Sequence, residues 1–404
     1  MNHNGPQVSA GREADAPANA CDDSPELSIV IPCLNEAGTI ATCIAKARRF
    51  LAQHQVVGEI IIADNGSNDG SAGIARDLGV IVHAVATPGY GAALMGGFAR
   101  ASGRFIIFAD GDDSYDFEHL MPFLARLREG DDFVIGDRFG GSIETGAMPF
   151  LHRYLGNPLL SSLGRLLYKT PITDFHCGLR GIRRDALARL KLRATGMEFA
   201  SEMIVKAGFH QLKISQVPIT LYADGRGHAS HLRTWRDGWR HLRFLMIHSP
   251  RWLFFYPGLF TLFVGLCLLA WLLPGAREVG GLTLDVHTML YGGVMTVVGL
   301  QLVSFALFSW LFTANAGLLP REDKLLGMVR TLSLERGILF GSVLGVAGLA
   351  TSVYALLLWS DQSYGSLVPA QMMRVTIPAV TAMACGAQVV FTSFFLSVLR
   401  LGEY

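Results

Sequence analysis

The chain is 404 residues long, with 34 Lys and Arg against 33 Asp and Glu, and half of it is hydrophobic. That length exceeds what one hydrophobic core usually holds, so at least two domains are expected. A formal net charge of +1 excludes a general nucleic-acid binder, which needs a large basic excess. In chain order, residues 1–26 come first. They are rich in Ala, Asn, Asp, Gly and Pro, lack an apolar core of signal-peptide length, and read as a disordered leader.

From residue 27 to about residue 230 two periods alternate. Short β-branched or aromatic runs are "LSIVIPC" (27–33), "EIIIAD" (59–64), "VIVHAV" (80–85), "RFIIFAD" (104–110) and "DFVIGDRF" (132–139). Between them lie helix-compatible stretches such as "NEAGTIATCIAKARRFLAQH" and "GYGAALMGGFARAS". The alternation predicts an α/β fold, a Rossmann-like, mostly parallel sheet sandwiched by helices. Ligands in such sheets sit beyond the carboxyl ends of the strands. Asn35 and Glu36 follow the first strand, Asp64 to Asp69 the second and Asp110 to Asp116 the fourth, so three polar loops converge on one edge.

A dinucleotide is the usual guess for such a sheet, but the first turn, "PCLNEAG", lacks GxGxxG. A later "GYGAAL" has Leu94 where the third glycine belongs. Gly89 and Gly91 either let backbone approach a bulky anion or form a plain turn before a helix. The acidic run "FADGDDSYD" (108–116) is more pointed. Asp110, Asp112, Asp113 and Asp116 would raise one another's pKa unless a cation neutralised them. Mg²⁺ or Mn²⁺ suits an Asp-x-Asp pair at a strand end, because hard cations combine one or two carboxylates with substrate phosphates. Taken alone, the run is also compatible with a solvated acidic turn.

Five ordered motifs, "SIVIPCLNEAGTI", "IIADNGSNDGS", "GYGAALMGGFARASGRFIIFADGDDSYD", "FVIGDRF" and "DFHCGLRGIRRDAL", resemble those of family 2 glycosyltransferases with the GT-A fold. Within that family they resemble the polyprenyl-phosphate sugar synthases of the dolichyl-phosphate-mannose and bactoprenol-glucose type. The resemblance implies that Pro32, Asn35, Glu36 and Asp64 line the base and ribose pocket. It also implies that Asp110 and Asp112 hold the nucleotide sugar and its metal. Many relatives carry Gln two residues after the second Asp; this chain has Ser114, preceded by Asp113, and either is a candidate to complete the metal shell.

A phosphate monoester acceptor, largely dianionic at neutral pH with a second pKa of about 6, needs cations more than a base. By the resemblance, Arg138 of "GDRF" and Arg153 of "FLHRYLGN" grip it, a task suited to planar bidentate donors. Asp174 and Arg180 of "TDFHCGLRG", and Glu198 and Glu202 of "GMEFASEM", stand at family-like positions near the acceptor. Relatives carry an Arg-x-x-Gly-x-Ser-Lys pattern where this chain reads "GRGHASH", keeping Arg226 but placing His231 in the lysine slot.

Residues 231–250 read as an amphipathic helix, with Leu232, Trp235, Trp239, Leu242 and Met246 at three- and four-residue steps opposite a basic face. Such a helix suits an anionic membrane surface. Spans are predicted at 252–274, 287–313, 337–359 and 376–399, giving an all-α membrane domain of four transmembrane helices over 251–404. Arg321, Lys324, Arg330 and Arg336 lie between spans two and three, whereas the loops after spans one and three offer only Arg277 and Arg374. The positive-inside rule then makes the catalytic domain (27–230) cytoplasmic, at a bacterial inner membrane.

The reading is a membrane-bound hexosyltransferase moving sugar from a UDP- or GDP-linked donor to a polyprenyl phosphate, with inversion and a divalent metal. Its partners are the nucleotide sugar, the lipid acceptor and the bilayer, with no nucleic acid, and the resemblance leaves room for a homo-oligomer. Another lipid or polysaccharide acceptor is one alternative. A non-catalytic scaffold or transporter component is another, against which the near absence of charge inside the spans argues.

Overall fold

The computed structural model describes residues 24–168, 170–225, 234–247, 249–315, 333–366 and 368–400. The first half is built on strands β1 (Leu27–Cys33), β2 (Gly58–Asp64), β3 (Ile81–Ala84), β4 (Phe105–Phe108), β5 (Phe133–Ile143), β6 (Arg180–Arg183) and β7 (Ile214–Leu221). They form one sheet in the order β3-β2-β1-β4-β6-β5-β7. Strands β3, β2, β1 and β4 run parallel; β6 is antiparallel to both β4 and β5, and β7 returns parallel to β5. The sheet is thus mostly parallel, as the alternating pattern predicts.

Every residue of β1 and β4 is buried, because helices cover both faces and leave no solvated side for polar alternation. Helix α1 (Ile40–Gln53) contributes Ile40, Cys43, Ile44, Ala47 and Phe50, one stripe at helical spacing. Each such large apolar side chain contributes about 1.5–3 kcal/mol when fully buried. Further helices α2 (Ser71–Asp77), α3 (Tyr90–Arg100), α4 (Met121–Arg128), α5 (Asn157–Tyr168), α6 (Arg184–Leu190) and α7 (Phe199–Phe209) complete the layers. Pro25 and Glu26, assigned above to the leader, belong to the fold. Glu26 N–H donates to the Val57 carbonyl, Arg104 N–H to that of Pro25, and Glu26 pairs with Arg128 at 2.8 Å. Residues 1–23 lie outside the described residues.

Helix α8 (Thr234–Ile247) leads into four helices long and apolar enough to cross a membrane. These are Arg251–Leu272, whose regular part is α9 (Tyr256–Leu272), α10 (Val286–Asn315), α11 (Leu334–Asp361) and α12 (Pro369–Arg400). Hairpin strands β8 (Arg277–Val279) and β9 (Leu282–Leu284) join the first two through Gly280 and Gly281, both at positive φ. Without a hydrophobic drive between helices in lipid, close approach through small residues takes its place. A Cβ at Gly265 would come within 2.6 Å of Thr296 N, and one at Gly386 within 2.6 Å of the Gly341 carbonyl. Gln388 donates to Gln301 at 2.9 Å and Thr392 to Ser304 at 3.1 Å, tying α12 to α10. Arg374, placed above in a loop, lies inside α12 and pairs with Asp285.

Candidate active site

The acidic run that closes β4 divides its charge. Asp113, held at φ 62°, turns away to pair with Lys46 at 2.8 Å. Asp116 accepts the Glu118 N–H at 2.9 Å and faces His119 at 2.6 Å. Neither borders the cavity, so the Asp113 contribution to a metal shell raised above does not hold. Asp110 and Asp112 do border it, and Asp112 is buried. Ser114 lines it too and donates to Asp112 Oδ1 through its hydroxyl at 2.5 Å and its N–H at 3.1 Å, which orients that carboxylate. Tyr90, leading α3, hydrogen-bonds Asp110; burial and that carboxylate push its phenol well above the ordinary range, so it remains a donor.

The cavity holds about 640 Å³. Arg138, buried on β5, also lines it, and its Nε and Nη2 donate to the two oxygens of the fully buried Asp174 at 2.6 and 2.7 Å. Burial pulls the guanidinium pKa down, but Asp174 outweighs it and holds the pKa well above the usual value. Asp174, predicted as a phosphate contact, instead anchors the arginine: a carboxylate with both oxygens in a buried fork is no anion ligand. Arg180 is 1% exposed and donates to the carbonyls of Cys177, Ala200 and Phe175 at 2.8–2.9 Å. It fixes the loop from 175 to 180 and thereby the cavity floor. Arg153 sits on a π-helical turn (His152–Gly156), stacked on Tyr154 at 5.5 Å; it is not among the lining residues, whereas His152 and Leu155 of the same turn are.

Gly89 and Gly91 have a packing reason. A Cβ at Gly89 would meet the Thr195 carbonyl oxygen at 2.2 Å, and one at Gly91 that of Ala194 at 2.2 Å. Glu202 is buried, pairing with Lys206 at 2.8 Å and accepting the N–H groups of Arg193 and Ala194, so it braces that same loop. Glu198 lies against Gly196, while its neighbours Met197 and Phe199 line the cavity.

Pro32, Asn35, Glu36 and Asp64 come together at the carboxyl ends of β1 and β2, off the cavity wall but joined to it. Asn35 N–H donates to Ser67 and Glu36 N–H to Ser71, and Asp64 accepts the Ser67 N–H. Thr39 donates to the Gly111 carbonyl at 2.7 Å, and a Cβ on Gly111 would press within 3.1 Å of the Pro32 carbonyl oxygen. The Asp110–Asp112 loop is thereby set against the β1 corner. Asn65, which sequence reasoning passed over, clamps the next loop: its side chain bonds the carbonyls of Val85 and Thr87 and the N–H of Gly89.

Arg226 and His231 lie outside the described residues. Immediately upstream, Gly225 N–H donates to the Asp112 carbonyl and Tyr222 N–H to that of Ser114, both at 3.0 Å. Two walls were missed altogether. One is the π turn and α5, whose Leu155 and Leu159 line the cavity while 55% and 62% exposed. The other is His176 with His241. An amphipathic pattern in "FLHRYLGNPLLSSLGRLLY" was the available signal for the first, and the histidine inside "DFHCGLRG" for the second.

Residues 28–191 match the model for glycosyl transferase family 2, and residues 307–400 that for the family 2 glycosyltransferase C-terminal transmembrane region. The chain is 36% identical to a low-salt glycan biosynthesis hexosyltransferase of Haloferax volcanii, over 95% of this chain and 90% of the relative. The chain belongs to the family 2 glycosyltransferases. This glycosyltransferase is also 30% identical, over 48% of its length and 82% of the relative, to a dolichyl-phosphate hexose transferase of the same organism. A UDP-bound glucosyl-3-phosphoglycerate synthase from Mycobacterium tuberculosis superposes on 55% of the chain and 79% of its own, with TM-score 0.44 and 22% identity. The enzyme is a membrane protein by its four apolar helices and its matching C-terminal region.

Proposed function

We propose that this glycosyltransferase moves a hexose from a nucleoside diphosphate sugar to a polyprenyl phosphate at the cytoplasmic face of the plasma membrane. The carrying observation is the cavity itself, lined by Asp110 and Asp112 and also by the Asp174-anchored Arg138. Its rim is apolar, formed by the π turn, α5 and α8, and α8 runs directly into the first spanning helix. Polar and apolar linings in one space suit a water-soluble donor and a lipid-borne acceptor. The names of the hexosyltransferase relatives support the same reading.

The donor set fits a divalent cation. Among the described residues no three His, Cys, Asp or Glu cluster as a complete protein-made metal site. Two strand-end carboxylates, all oxygen, leave the remaining positions to diphosphate oxygens, as Mg²⁺ or Mn²⁺ sites commonly do. Gly178 keeps the space beside Asp110 open, since a Cβ there would lie 2.7 Å from Oδ2. Asp112 and Asp110 would hold the ion, which when bound neutralises charge on the leaving diphosphate.

In the reaction the acceptor phosphate oxygen forms a bond to the anomeric carbon while the bond to the diphosphate breaks, its electron pair leaving with the nucleoside diphosphate. Single displacement inverts the anomeric centre. No protein base is required, because the acceptor is already largely dianionic. Arg138 orients it, and the fixed guanidinium needs no reorganisation at the moment of reaction.

The test is transfer itself. Membranes containing the protein are incubated with labelled UDP- and GDP-sugars and undecaprenyl or dolichyl phosphate, and the lipid extract is analysed. The expected product is a mild-acid-labile glycolipid whose formation stops with EDTA and returns with Mg²⁺ or Mn²⁺. Label confined to diacylglycerol or to polymer would overturn the acceptor assignment.

A further inference from the structure

We infer that His176 is an acceptor-binding residue of this glycosyltransferase, donating a ring N–H to the phosphate of the lipid acceptor. The inference rests on the acceptor proposed above. His176 lines the cavity, two residues beyond Asp174 and two before Gly178, which touches Asp110. Both ring nitrogens are shielded from solvent, and neither has a hydrogen-bond partner among the described residues. Buried polar atoms in native proteins are almost always satisfied, so an exception in the wall of a binding cavity calls for a partner that arrives.

The surroundings define that partner. The ring packs edge-on against His241 of α8, with centroids 4.5 Å apart, and His241 is itself held by Ser201 at 2.9 Å. Arg138, Arg180 and His152 are the neighbouring charged or titratable groups that bear on it besides His241. Burial, then His241 and Arg138, push the His176 pKa well below the usual imidazole value, so the ring is neutral and offers one N–H donor and one acceptor nitrogen. A site that keeps an imidazole uncharged among guanidinium groups is prepared for an anion, and phosphate oxygens accept such a donor. Phosphate comes from two sources here, the acceptor and the donor diphosphate. Contact with α8, the helix that precedes the first apolar helix, favours the acceptor.

The test uses full-length protein in nanodiscs, with initial rates measured while polyprenyl phosphate and nucleotide sugar are varied separately. His176→Ala is expected to raise KM for the polyprenyl phosphate about tenfold or more, the usual effect of losing a hydrogen bond to a charged group. KM for the sugar donor and kcat should stay within about twofold. His176→Gln, which restores an N–H, should recover most of the loss. An unchanged acceptor KM, a rise in donor KM instead, or a Gln variant as impaired as Ala would overturn the assignment. If His176→Ala does not fold, His176→Leu fills the site without a donor and carries the same comparison. Titration of farnesyl phosphate into the same proteins separates this inference from the reading beneath it. Wild-type protein that transfers nothing to polyprenyl phosphate, yet binds farnesyl phosphate more tightly than His176→Ala does, would sink the transfer reaction while leaving the His176 contact standing.

Discussion

Arg138 and Asp174 illustrate how one buried pair links stability to function. Both are almost wholly removed from water, and their two-pronged contact is what makes the burial tolerable. Asp174→Asn keeps the shape but leaves a buried guanidinium uncompensated. It is expected to destabilise the catalytic half by about 3–5 kcal/mol, read as a fall in the melting transition of detergent-solubilised protein. A melting transition unchanged from wild type would mean that the pair is solvated in solution. At this scale the sequence was legible in residue type but not in partner. Four aspartates in nine residues suggested shared neutralisation by a metal, yet Lys46, 67 positions upstream, takes Asp113. Nothing local to "FADGDDSYD" signals that pairing, because it is made by tertiary packing of α1 on the acidic loop. Arg153 failed for a related reason: a π-helical turn rotates successive side chains differently from an α-helix, so His152 and Leu155 face the cavity and Arg153 does not.

Among elements, β1, β2 and β4 are readable in the sequence because buried parallel strands are unbroken β-branched or aromatic runs. Strand β6, "RGIR", carries no such signal. Its four residues are strand only because β4 and β5 supply ladder partners on both sides. The glycines before and within α3 are visible in the sequence, but their packing partners are not. Their physical role is to let the loop at 194–196 lie against the helix backbone, so Gly91→Ala is expected to cost about 1–3 kcal/mol through overpacking. Gly73 in α2 has open space around its missing Cβ. Gly73→Ala should therefore be neutral or stabilising by up to about 1 kcal/mol. Chemical denaturation of both variants checks this contrast; equal effects would remove the close-packing explanation. The sequence predicts helix α8 over 231–250, and it is described over Thr234–Ile247. His241, buried, and Trp239, 60% exposed, both line the cavity, while Leu245 is fully buried.

Over the whole molecule, the division into a soluble half and four apolar helices follows from hydropathy alone, because backbone in lipid must satisfy its own hydrogen bonds and needs about 20 apolar residues to cross. What hydropathy does not reveal is the junction. The cavity takes its walls from β4, β5, the π turn, α7 and α8, elements spread over more than a hundred residues. That convergence brings a carboxylate pair and an anchored arginine to the lining of one space. The central claim is that the two serve different ligands. The most direct check is equilibrium binding of a nucleoside diphosphate with Mg²⁺, and separately of farnesyl phosphate, to wild type, Asp112→Asn and Arg138→Lys. Arg138→Lys keeps a cation for Asp174 but loses the planar fork. The account predicts that Asp112→Asn weakens the nucleotide at least tenfold and spares farnesyl phosphate, while Arg138→Lys does the reverse. Both substitutions weakening the same ligand, or neither weakening any, would contradict it.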